Sequence, residues 1–278
     1  MRKIDLASPV VKWVGGKRQL LERLIPLFPE TYTTYCEPFI GGGAVLFALQ
    51  PKKAIINDIN SELIGVYRAI KDDVDSLIKR LAQFENTKEC FYDVRSWDRN
   101  VEIYNQLTDI DKAARVIFLN KTCYNGLYRV NSAGEFNTPF GRYKNPNIIN
   151  ENTLRAVNEY FNTADVTILN TSYSEVVQGL PKDSFVYLDP PYDPISVTAS
   201  FTGYNAGGFS REDQIALRDC CCQLDAAGIK FMLSNSATEF IQDIYSDFNI
   251  TIVPAKRAIN SVGSKRGCVD EVVVRNYE

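Results

Sequence analysis

The sequence predicts a doubly wound α/β protein into which a second, mainly helical domain is inserted. Apolar runs typical of buried strands alternate with helical patterns in the first and last parts of the chain, and a glycine-rich turn follows the first run. Between about residues 71 and 160 the alternation stops, and apolar residues recur at helical spacing. We therefore expect one domain formed by residues 1–70 and 161–278, interrupted by another formed by residues 71–160.

Length and composition are those of an ordinary globular protein. The chain has 278 residues, 45% of them apolar and 23% charged, which suffices for one large domain and a smaller inserted one. No run approaches the ~18 apolar residues of a membrane span, and the charged start lacks the apolar segment of a signal peptide. Seven cysteines without a Cys-x-x-Cys pair predict reduced thiols. We expect a cytoplasmic monomer without a membrane partner.

The sequence contains no histidine. This excludes nucleophile pairs that depend on histidine, imidazole metal ligands and the commonest general base. The chemistry is therefore expected to use carboxylate, amide, hydroxyl or lysine side chains, or a cofactor. No metal site is predicted, since the cysteines also lack zinc-ligand spacing.

Positive charge is concentrated in two segments, although the net charge is −3. Residues 112–144 hold six cations and one anion, and residues 254–269 hold four cations and no anion. Two basic zones on an acidic protein are typical of a cleft that contacts duplex DNA, but solvated loop charges would give the same pattern. Charge favours DNA as a partner without establishing it.

A glycine pair near the N-terminus precedes a helical pattern that starts at Leu20. The preceding residues include Trp13, Gly15 and Lys17. Either the glycines only form a turn that caps the helix, or backbone N–H groups together with Lys17 hold an anionic group, such as an amino-acid carboxylate, while Trp13 packs on a flat one.

The predicted first strand, residues 35–39, is followed by a triple glycine, Gly41 to Gly43, and an apolar helix. Adjacent glycines let a ligand lie against bare backbone. The second strand, residues 54–57, ends in Asp58, and an acidic residue about 20 residues beyond such a turn is where these folds hold ribose hydroxyls. The pattern predicts an adenosine-bearing ligand but lacks the Gly-x-Gly-x-x-Gly of dinucleotide sites.

Residues 124–143, near the middle of the inserted segment, predict a β-hairpin. Two alternating stretches flank a Ser-Ala-Gly turn. Their side chains include arginine, asparagine and aromatics, the types that read guanine and adenine edges or wedge between base steps. The alternative is a surface hairpin that aromatic side chains hold together.

The strand pattern resumes after the insertion at residues 166–170, and Ser172 lies at the predicted start of the next helix. A further strand, residues 184–188, is followed by a connection from 193 to 209. This connection contains Gly203, Gly207 and Gly208 and is too long for a routine loop, so it is a candidate lid.

The last part of the chain completes the sheet. Ser210 and Asp213 form a capping box at the start of a helix. A strand is predicted at residues 230–235, and residues 250–253 and 269–274 are predicted to form an antiparallel pair across the second basic segment.

The most informative stretch is Asp189-Pro190-Pro191-Tyr192, directly after the strand at 184–188. Two prolines fix φ and supply no N–H, so we expect the Pro190 carbonyl to stay free as an acceptor. Asp189 adds a carboxylate and Tyr192 a flat ring, which together suit an exocyclic NH₂ on a planar aromatic molecule. The alternative is a proline-stiffened turn that merely ends a strand.

Four stretches in this order closely resemble the Dam family of S-adenosylmethionine-dependent DNA adenine methyltransferases. They are Lys12-Trp13-x-Gly15-Gly16-Lys17, Glu37-Pro38-Phe39-x-Gly41-Gly42-Gly43, the segment starting at Asn125-Gly126-Leu127-Tyr128-Arg129, and Asp189-Pro190-Pro191-Tyr192. The last is shared with other amino-methylating enzymes, but all four in sequence are specific. The resemblance covers nearly the whole chain and is weakest between about residues 85 and 110.

The resemblance implies a Rossmann-like methyltransferase domain, an inserted target-recognition domain with a β-hairpin, and base flipping in double-stranded DNA, commonly at GATC. The implied catalytic residues are Asp189, Pro190 and Tyr192. The expected S-adenosylmethionine contacts are Trp13, Gly15, Lys17, Phe39, Gly41, Gly43, Asp58, Ser172 and Asp189. The implied DNA contacts are Lys12, Tyr124, Asn125, Leu127, Arg129 and Pro139.

Two other functions remain open at this point. An enzyme that methylates a glutamine amide in a protein would also hold a planar NH₂, but such enzymes usually carry asparagine in place of Asp189 and lack the hairpin with Arg129. A cofactor-free DNA-binding regulator on the same scaffold would not need intact Asp189, Tyr192, Asp58 and Lys17. The residues favour the methyltransferase, serving restriction–modification or DNA marking in a bacterial cell or phage-infected host.

Overall fold

The computed structural model describes residues 3–195, 209–256 and 268–278. Within these ranges, the centre of the molecule is a single sheet. Its strands are β1 Thr34–Glu37, β2 Lys53–Asn57, β3 Asp165–Leu169, β4 Ser184–Leu188, β5 Lys230–Ser236, β6 Asn249–Lys256 and β7 Cys268–Arg275. The seven strands predicted from the sequence are confirmed. β1 ends at Glu37 rather than at Phe39, because Pro38 has no N–H to donate to the ladder.

The α-helices of the described residues flank this sheet and fill the long connection after β2. They are α1 Leu21–Leu24, α2 Ala44–Leu49, α3 Ser61–Asp72, α4 Val74–Leu81, α5 Lys88–Ser96, α6 Val101–Gln106, α7 Asp109–Thr122, α8 Glu151–Thr163, α9 Tyr173–Val177, α10 Arg211–Ala226 and α11 Glu239–Ile244. The predicted capping box of Ser210 and Asp213 starts α10, and both of its hydrogen bonds are formed.

The strand order β3-β2-β1-β4-β5-β7-β6 explains where a site can form. The first five strands run parallel, and β7 runs antiparallel to both β5 and β6. From β1 the chain builds outward through β2 and β3 on one side, then returns to add β4 and β5 on the other. The carboxyl ends of β1 and β4 therefore meet at the topological switch point, where open α/β sheets bind their ligands.

Alternate residues of the central strands face two separate apolar cores. Tyr35 and Phe185 contribute to a core with α2, α3, α7 and α8, whereas Cys36 and Val186 contribute to one with α9, α10 and α11. Both faces of the parallel strands are thus covered, as the uninterrupted apolar runs require. The Rossmann-like α/β architecture predicted from the sequence is confirmed.

The predicted insertion lies in the crossover from β2 to β3, which contains α3 to α8. α7 is buried along most of its length and packs against α3, α4 and α5. The core of these helices is continuous with that of the sheet, reaching Tyr128 and Phe136 beyond α7. The domain boundaries at residues 71 and 160 stay a prediction.

The hairpin predicted at residues 124–143 is short. Antiparallel pairing joins Val130 with Phe136 around the Asn131–Glu135 turn, and a second bridge joins Cys123 with Phe140. Continuous strands do not form, because Asn125 and Arg142 adopt positive φ angles of 58° and 56° and so interrupt the extended backbone.

Two sequence predictions fall largely outside the described residues. The first is the candidate lid, whose glycines Gly203, Gly207 and Gly208 all lie outside the described residues. The second is the basic segment 254–269, most of which also lies outside them. Among the helices that are described, none has the length and apolar character required to cross a bilayer.

Candidate active site

The triple glycine after β1 forms a tight loop at the switch point. Gly41 and Gly43 have φ angles of 48° and 73°, which favour glycine over residues with a side chain. A Cβ atom on Gly43 would lie 2.7 Å from a ring carbon of Phe47, and one on Gly41 would lie 3.1 Å from Trp13. The backbone angles and the close approach of Phe47 and Trp13 therefore leave no room for side chains at these two positions.

Asp58 fixes this loop from the end of β2. Its carboxylate accepts hydrogen bonds from the backbone N–H of Gly41 at 3.1 Å and of Asn60 at 3.0 Å. Burial raises the pKa of Asp58 above its usual value, while these backbone bonds lower it. The predicted ribose acceptor thus lies beside the glycine loop.

A cleft opens to solvent between the glycine loop and the tip of β4. Its empty volume is about 260 Å³, and it is lined by Val14, Gly15, Gly16, Lys17, Glu37, Ile40, Gly41, Gly42, Gly43, Ala44, Val45 and Asp189. The structure therefore brings two stretches predicted to hold the cofactor together with the acid predicted to be catalytic.

Lys17 and Asp189 form an ion pair in this cleft. The Lys17 ammonium lies 2.7 Å from Oδ1 of Asp189, donates to the Gly15 carbonyl at 2.7 Å and lies 4.6 Å from the centre of the Tyr192 ring. Lys17 is only 3% exposed. The anion that Lys17 contacts in the structure is thus Asp189, the acid predicted to be catalytic, and a contact from Lys17 to a ligand carboxylate stays a prediction.

The electrostatics of the cleft favour proton retention by its acids. Burial raises the pKa of Asp189 to about 6, although Lys17 acts in the opposite direction. Glu37 is fully buried at the end of β1, accepts a 2.8 Å hydrogen bond from Tyr35, and its pKa is raised well above the usual value by burial. The two acids also repel each other, as expected at a functional cleft.

Buried amides hold the backbone that follows Asp189. Gln214, on α10, donates to the Pro191 carbonyl at 2.9 Å and accepts from Asn235, whose side-chain oxygen accepts the Asp193 N–H at 3.0 Å. Across the described residues, no donor reaches the carbonyl of Pro190. Its role as an acceptor for a substrate amine stays a prediction.

Aromatic rings lie on the other side of the glycine loop. Phe39 packs against Tyr173, with ring centres 5.2 Å apart, and against Phe209 at 6.3 Å. Ser172, predicted to contact the cofactor, caps α9 by accepting the Glu175 N–H at 3.3 Å. Its hydroxyl has a structural role, and the cofactor contact stays a prediction.

The predicted DNA contacts lie together on one surface next to the cleft. Lys12, Tyr124, Asn125, Arg129 and Pro139 are exposed, and Leu127 is half-buried. Asn120 joins the two segments that carry them: it bonds both the N–H and the carbonyl of Lys12 at 2.8 Å, and it donates to the Gly126 carbonyl at 3.1 Å.

Trp13 connects this surface with the cleft. Its ring packs over Gly41 and stacks on Tyr128, with the two ring centres 4.9 Å apart and their planes inclined by 28°. One face of Trp13, a predicted cofactor contact, is therefore supported by a residue of the segment predicted to bind DNA.

Sequence reasoning missed Glu37, Asn120 and Tyr128 as site residues. Glu37 and Tyr128 lie within the motifs themselves, but their burial is visible only in the fold. Asn120 is fully buried in the apolar pattern of α7. The signal that could have identified Asn120 is a polar residue within an apolar helical pattern. A buried amide needs hydrogen-bond partners, so such a residue is expected to join neighbouring segments.

Comparisons with known proteins agree with the four-motif resemblance and confirm it. The profile of the family described as D12 class N6 adenine-specific DNA methyltransferase matches residues 13–259. The chain is 46% identical over 277 residues to a Type II methyltransferase, M1.LlaDCHI, of Lactococcus lactis subsp. cremoris, covering 99% of this chain and 97% of the relative.

Relatives from other organisms match over similar lengths. Identity is 43% over 291 residues with the Type II methyltransferase M.MjaIII of Methanocaldococcus jannaschii, covering 97% of this chain and 99% of the relative. Identity is 34% over 269 residues with a DNA adenine methylase of Vibrio cholerae, covering 95% of this chain and 94% of the relative. In the described residues, no cluster of three or more histidine, cysteine or acidic side chains could hold a metal ion.

Proposed function

Because the chain belongs to the D12 class of N6 adenine-specific DNA methyltransferases, we propose that it transfers a methyl group from S-adenosylmethionine to the 6-amino group of adenine within GATC sites of duplex DNA. The observation that carries this proposal is the position of Asp189. Its carboxylate lies at the switch point of the sheet, on the wall of the glycine-lined cleft and next in sequence to the Pro190 carbonyl, which receives no hydrogen bond from the described residues.

The residues of the cleft fit S-adenosylmethionine. The glycines at 15, 16 and 41–43 line the cleft with backbone, Asp58 provides an acceptor for ribose hydroxyls, and Trp13 and Phe39 offer apolar surfaces. Lys17 supplies a cation for the amino-acid carboxylate. The ligand carboxylate would either replace Asp189 as the partner of Lys17 or join it. When bound there, the molecule supplies a methyl group that its sulfonium already activates.

Asp189 and Pro190 act on the weak partner of the reaction, the adenine amine. Its lone pair is delocalised into the ring, so it is a poor nucleophile. Two acceptors, the Asp189 carboxylate and the Pro190 carbonyl, localise the lone pair and stabilise the positive charge that develops on nitrogen. Removing one preorganised electrostatic partner typically costs about 10²–10³ in rate. Fixing the amine in line with the methyl group adds an entropic contribution.

The amine must leave the base stack before it can reach Asp189. Flipping a base costs a few kcal/mol, which stacking on a pocket aromatic offsets. Tyr192 is half-buried two residues from the proline carbonyl and supplies that ring. The duplex would be held by the surface of Lys12, Tyr124, Asn125, Leu127, Arg129 and Pro139, within a recognition domain formed by residues 71–160.

The GATC preference rests on the resemblance of these six positions to those of GATC-type family members. The names of the Type II relatives support a role in restriction–modification, and the DNA adenine methylase names support DNA marking. We further propose that the enzyme acts as a cytoplasmic monomer in a bacterial or phage-infected cell.

The recognition site is tested by expressing the protein in a host without DNA methylation. Purified plasmid is then cut with two GATC-specific restriction enzymes, one blocked by N6-methyladenine and one requiring it. We expect resistance to the first and cleavage by the second. The opposite pattern, alongside N6-methyladenine detected in the same plasmid, would show that the enzyme recognises another sequence.

A further inference from the structure

An acidic side chain on β7 contacts the aromatic ring at the tip of β4. Oε2 of Glu271 accepts a hydrogen bond from the Tyr192 hydroxyl at 2.8 Å. Glu271 is distant from the four motifs in sequence, and its register places it opposite Ser236 of β5 and Val253 of β6. The contact therefore joins the interior of the sheet to the predicted base-stacking ring.

β7 is a rigid support for such a contact. It is paired along both edges, and the three residues after Glu271, Val272 to Val274, are buried. By contrast, Tyr192 lies outside the sheet, where its backbone is held through Pro191 and Asp193. Those bonds fix the main chain but leave the side-chain torsions of the ring free.

The phenol has a single donor proton and two acidic neighbours, Glu271 and Asp189. Burial raises the pKa of Tyr192 well above its usual value, so the hydroxyl stays protonated as a donor. Its proton is directed to Glu271. Asp189 also lies within reach of this hydroxyl, and hydrogen bonding to Tyr192 lowers the pKa of Asp189, so the two acids compete for one donor that Glu271 holds at 2.8 Å.

We infer that Glu271 is a positioning residue, which orients the Tyr192 ring through its hydroxyl so that the flipped adenine stacks with its amine at Asp189 and Pro190. This inference rests on the proposed function, because it requires Tyr192 to receive the base. It assigns Glu271 no contact with the substrate and no proton transfer.

The charge of Glu271 cannot account for such a role. A carboxylate near Asp189 raises the pKa of that acid and so disfavours its ionised form. Removing the charge of Glu271 should by itself lower the pKa of Asp189 and favour its ionised form. Removing the hydrogen bond from Tyr192 to Glu271 should instead impair positioning of the base. Glutamine separates the two effects, because its amide oxygen still accepts from the hydroxyl but carries no charge.

The test measures single-turnover methyl transfer to a duplex, together with the fluorescence of 2-aminopurine placed at the target adenine. We expect Glu271→Leu and Tyr192→Phe each to slow transfer about tenfold and to change the fluorescence of the bound duplex, as for loss of a hydrogen bond to a charged group. Glu271→Gln should retain transfer within about threefold. Asp270→Asn, an exposed neighbour on the same strand, is the matched control and should match the wild type.

The double variant Tyr192→Phe/Glu271→Leu distinguishes positioning from an independent role. If Glu271 acts through Tyr192, the double variant is no slower than the slower single variant. The inference would be overturned if the rate loss of the double variant equalled the product of the two single losses. Transfer at the wild-type rate by Glu271→Leu would also overturn it. Should Glu271→Leu fail to fold, as judged by thermal unfolding, wild-type transfer by Tyr192→Phe would overturn it equally. Absence of methyl transfer by the wild-type protein would instead refute the proposed function.

Discussion

At the scale of single residues, the properties of Asp189 follow from its position rather than from its residue type. The carboxylate is half-buried and pairs with Lys17 at 2.7 Å, yet burial outweighs this attraction and raises the pKa of Asp189 to about 6. The same side chain in an exposed turn would have an ordinary pKa. The motif predicts the acid, and only the fold predicts its protonation behaviour.

This pKa predicts the pH dependence of methyl transfer. Asp189 is a negatively charged acceptor only when ionised, and a raised pKa means that it is protonated below about pH 6 rather than below the usual range. We expect kcat/KM, which reports the free enzyme, to fall as the pH is lowered through about 6 and to level off above it. Asp189→Asn, with no proton to gain, should show a low and flat profile. A wild-type rate that stays constant down to pH 5 would contradict the assignment.

Arg129 gives a prediction about sequence discrimination. Its side chain is exposed and oriented by a 2.7 Å hydrogen bond from Nε to Asn137, which leaves the two terminal nitrogens for a guanine edge. Arg129→Ala should relax discrimination at one base pair by about 1–3 kcal/mol, measured as kcat/KM on duplexes substituted one base pair at a time. Equal weakening on every duplex would identify a phosphate contact instead.

At the scale of elements, strands and caps were predictable because their signals are local. Apolar runs, the triple glycine and the Ser210 capping box each act within a few residues. The helices α5 and α6 gave no recognisable signal: both are short, and α6 leaves Val101 and Ile103 exposed instead of presenting an apolar stripe. The continuous strands of the hairpin were overpredicted, since alternation alone does not reveal a positive φ at Asn125.

The glycine loop provides the prediction for this scale. Gly43→Ala places a Cβ 2.7 Å from the Phe47 ring at a φ of 73°, so we expect destabilisation by about 1–3 kcal/mol in urea unfolding, together with weaker S-adenosylmethionine binding by calorimetry. The control is Gly65→Ala on α3, where a Cβ meets nothing within 4 Å. That change should stabilise the protein by about 0.5–1 kcal/mol. Equal effects of the two changes would argue against strain at Gly43.

At the scale of the whole molecule, a buried arginine joins segments of the β2–β3 crossover that are distant in sequence. Arg115 on α7 pairs with Asp98 at 2.5 Å and with Glu62 of α3 at 3.5 Å, and it donates to the Val94 carbonyl of α5. Asp98 in turn accepts the Phe136 N–H at 2.8 Å, which fixes the short hairpin. The sequence shows that this segment is basic. Only the fold shows that Arg115, one of its cations, pairs with acids inside the protein and does not face DNA.

Arg115→Met should therefore destabilise the protein by about 3–5 kcal/mol, because it removes the buried cation that pairs with Glu62 and Asp98, of which Asp98 keeps Arg99 at 2.6 Å. The measurement is urea unfolding at neutral pH. The control is Arg155→Met. Arg155 also pairs with two acids, Asp75 and Glu151, but both are exposed, so this change should lower the free energy of unfolding by less than about 1 kcal/mol. Comparable losses for the two variants would show that burial of the Arg115 network contributes little.

The order of strands in the sheet and the approach of Lys12 to Gly126 also lay beyond the sequence, because both depend on contacts between distant segments. The residue types of the site were predictable, whereas its supports were not. Glu37, Asn120 and Gln214 act through partners that only the folded chain brings near.

The most direct test of the account is the nucleoside composition of DNA from a methylation-free host that expresses either the wild-type protein or Asp189→Ala. Mass spectrometry of the hydrolysed DNA should detect N6-methyldeoxyadenosine with the wild type and none with the variant, while circular dichroism shows the same fold for both. N6-methyldeoxyadenosine at wild-type levels with Asp189→Ala, or its absence with the wild-type protein, would contradict the central role of this carboxylate.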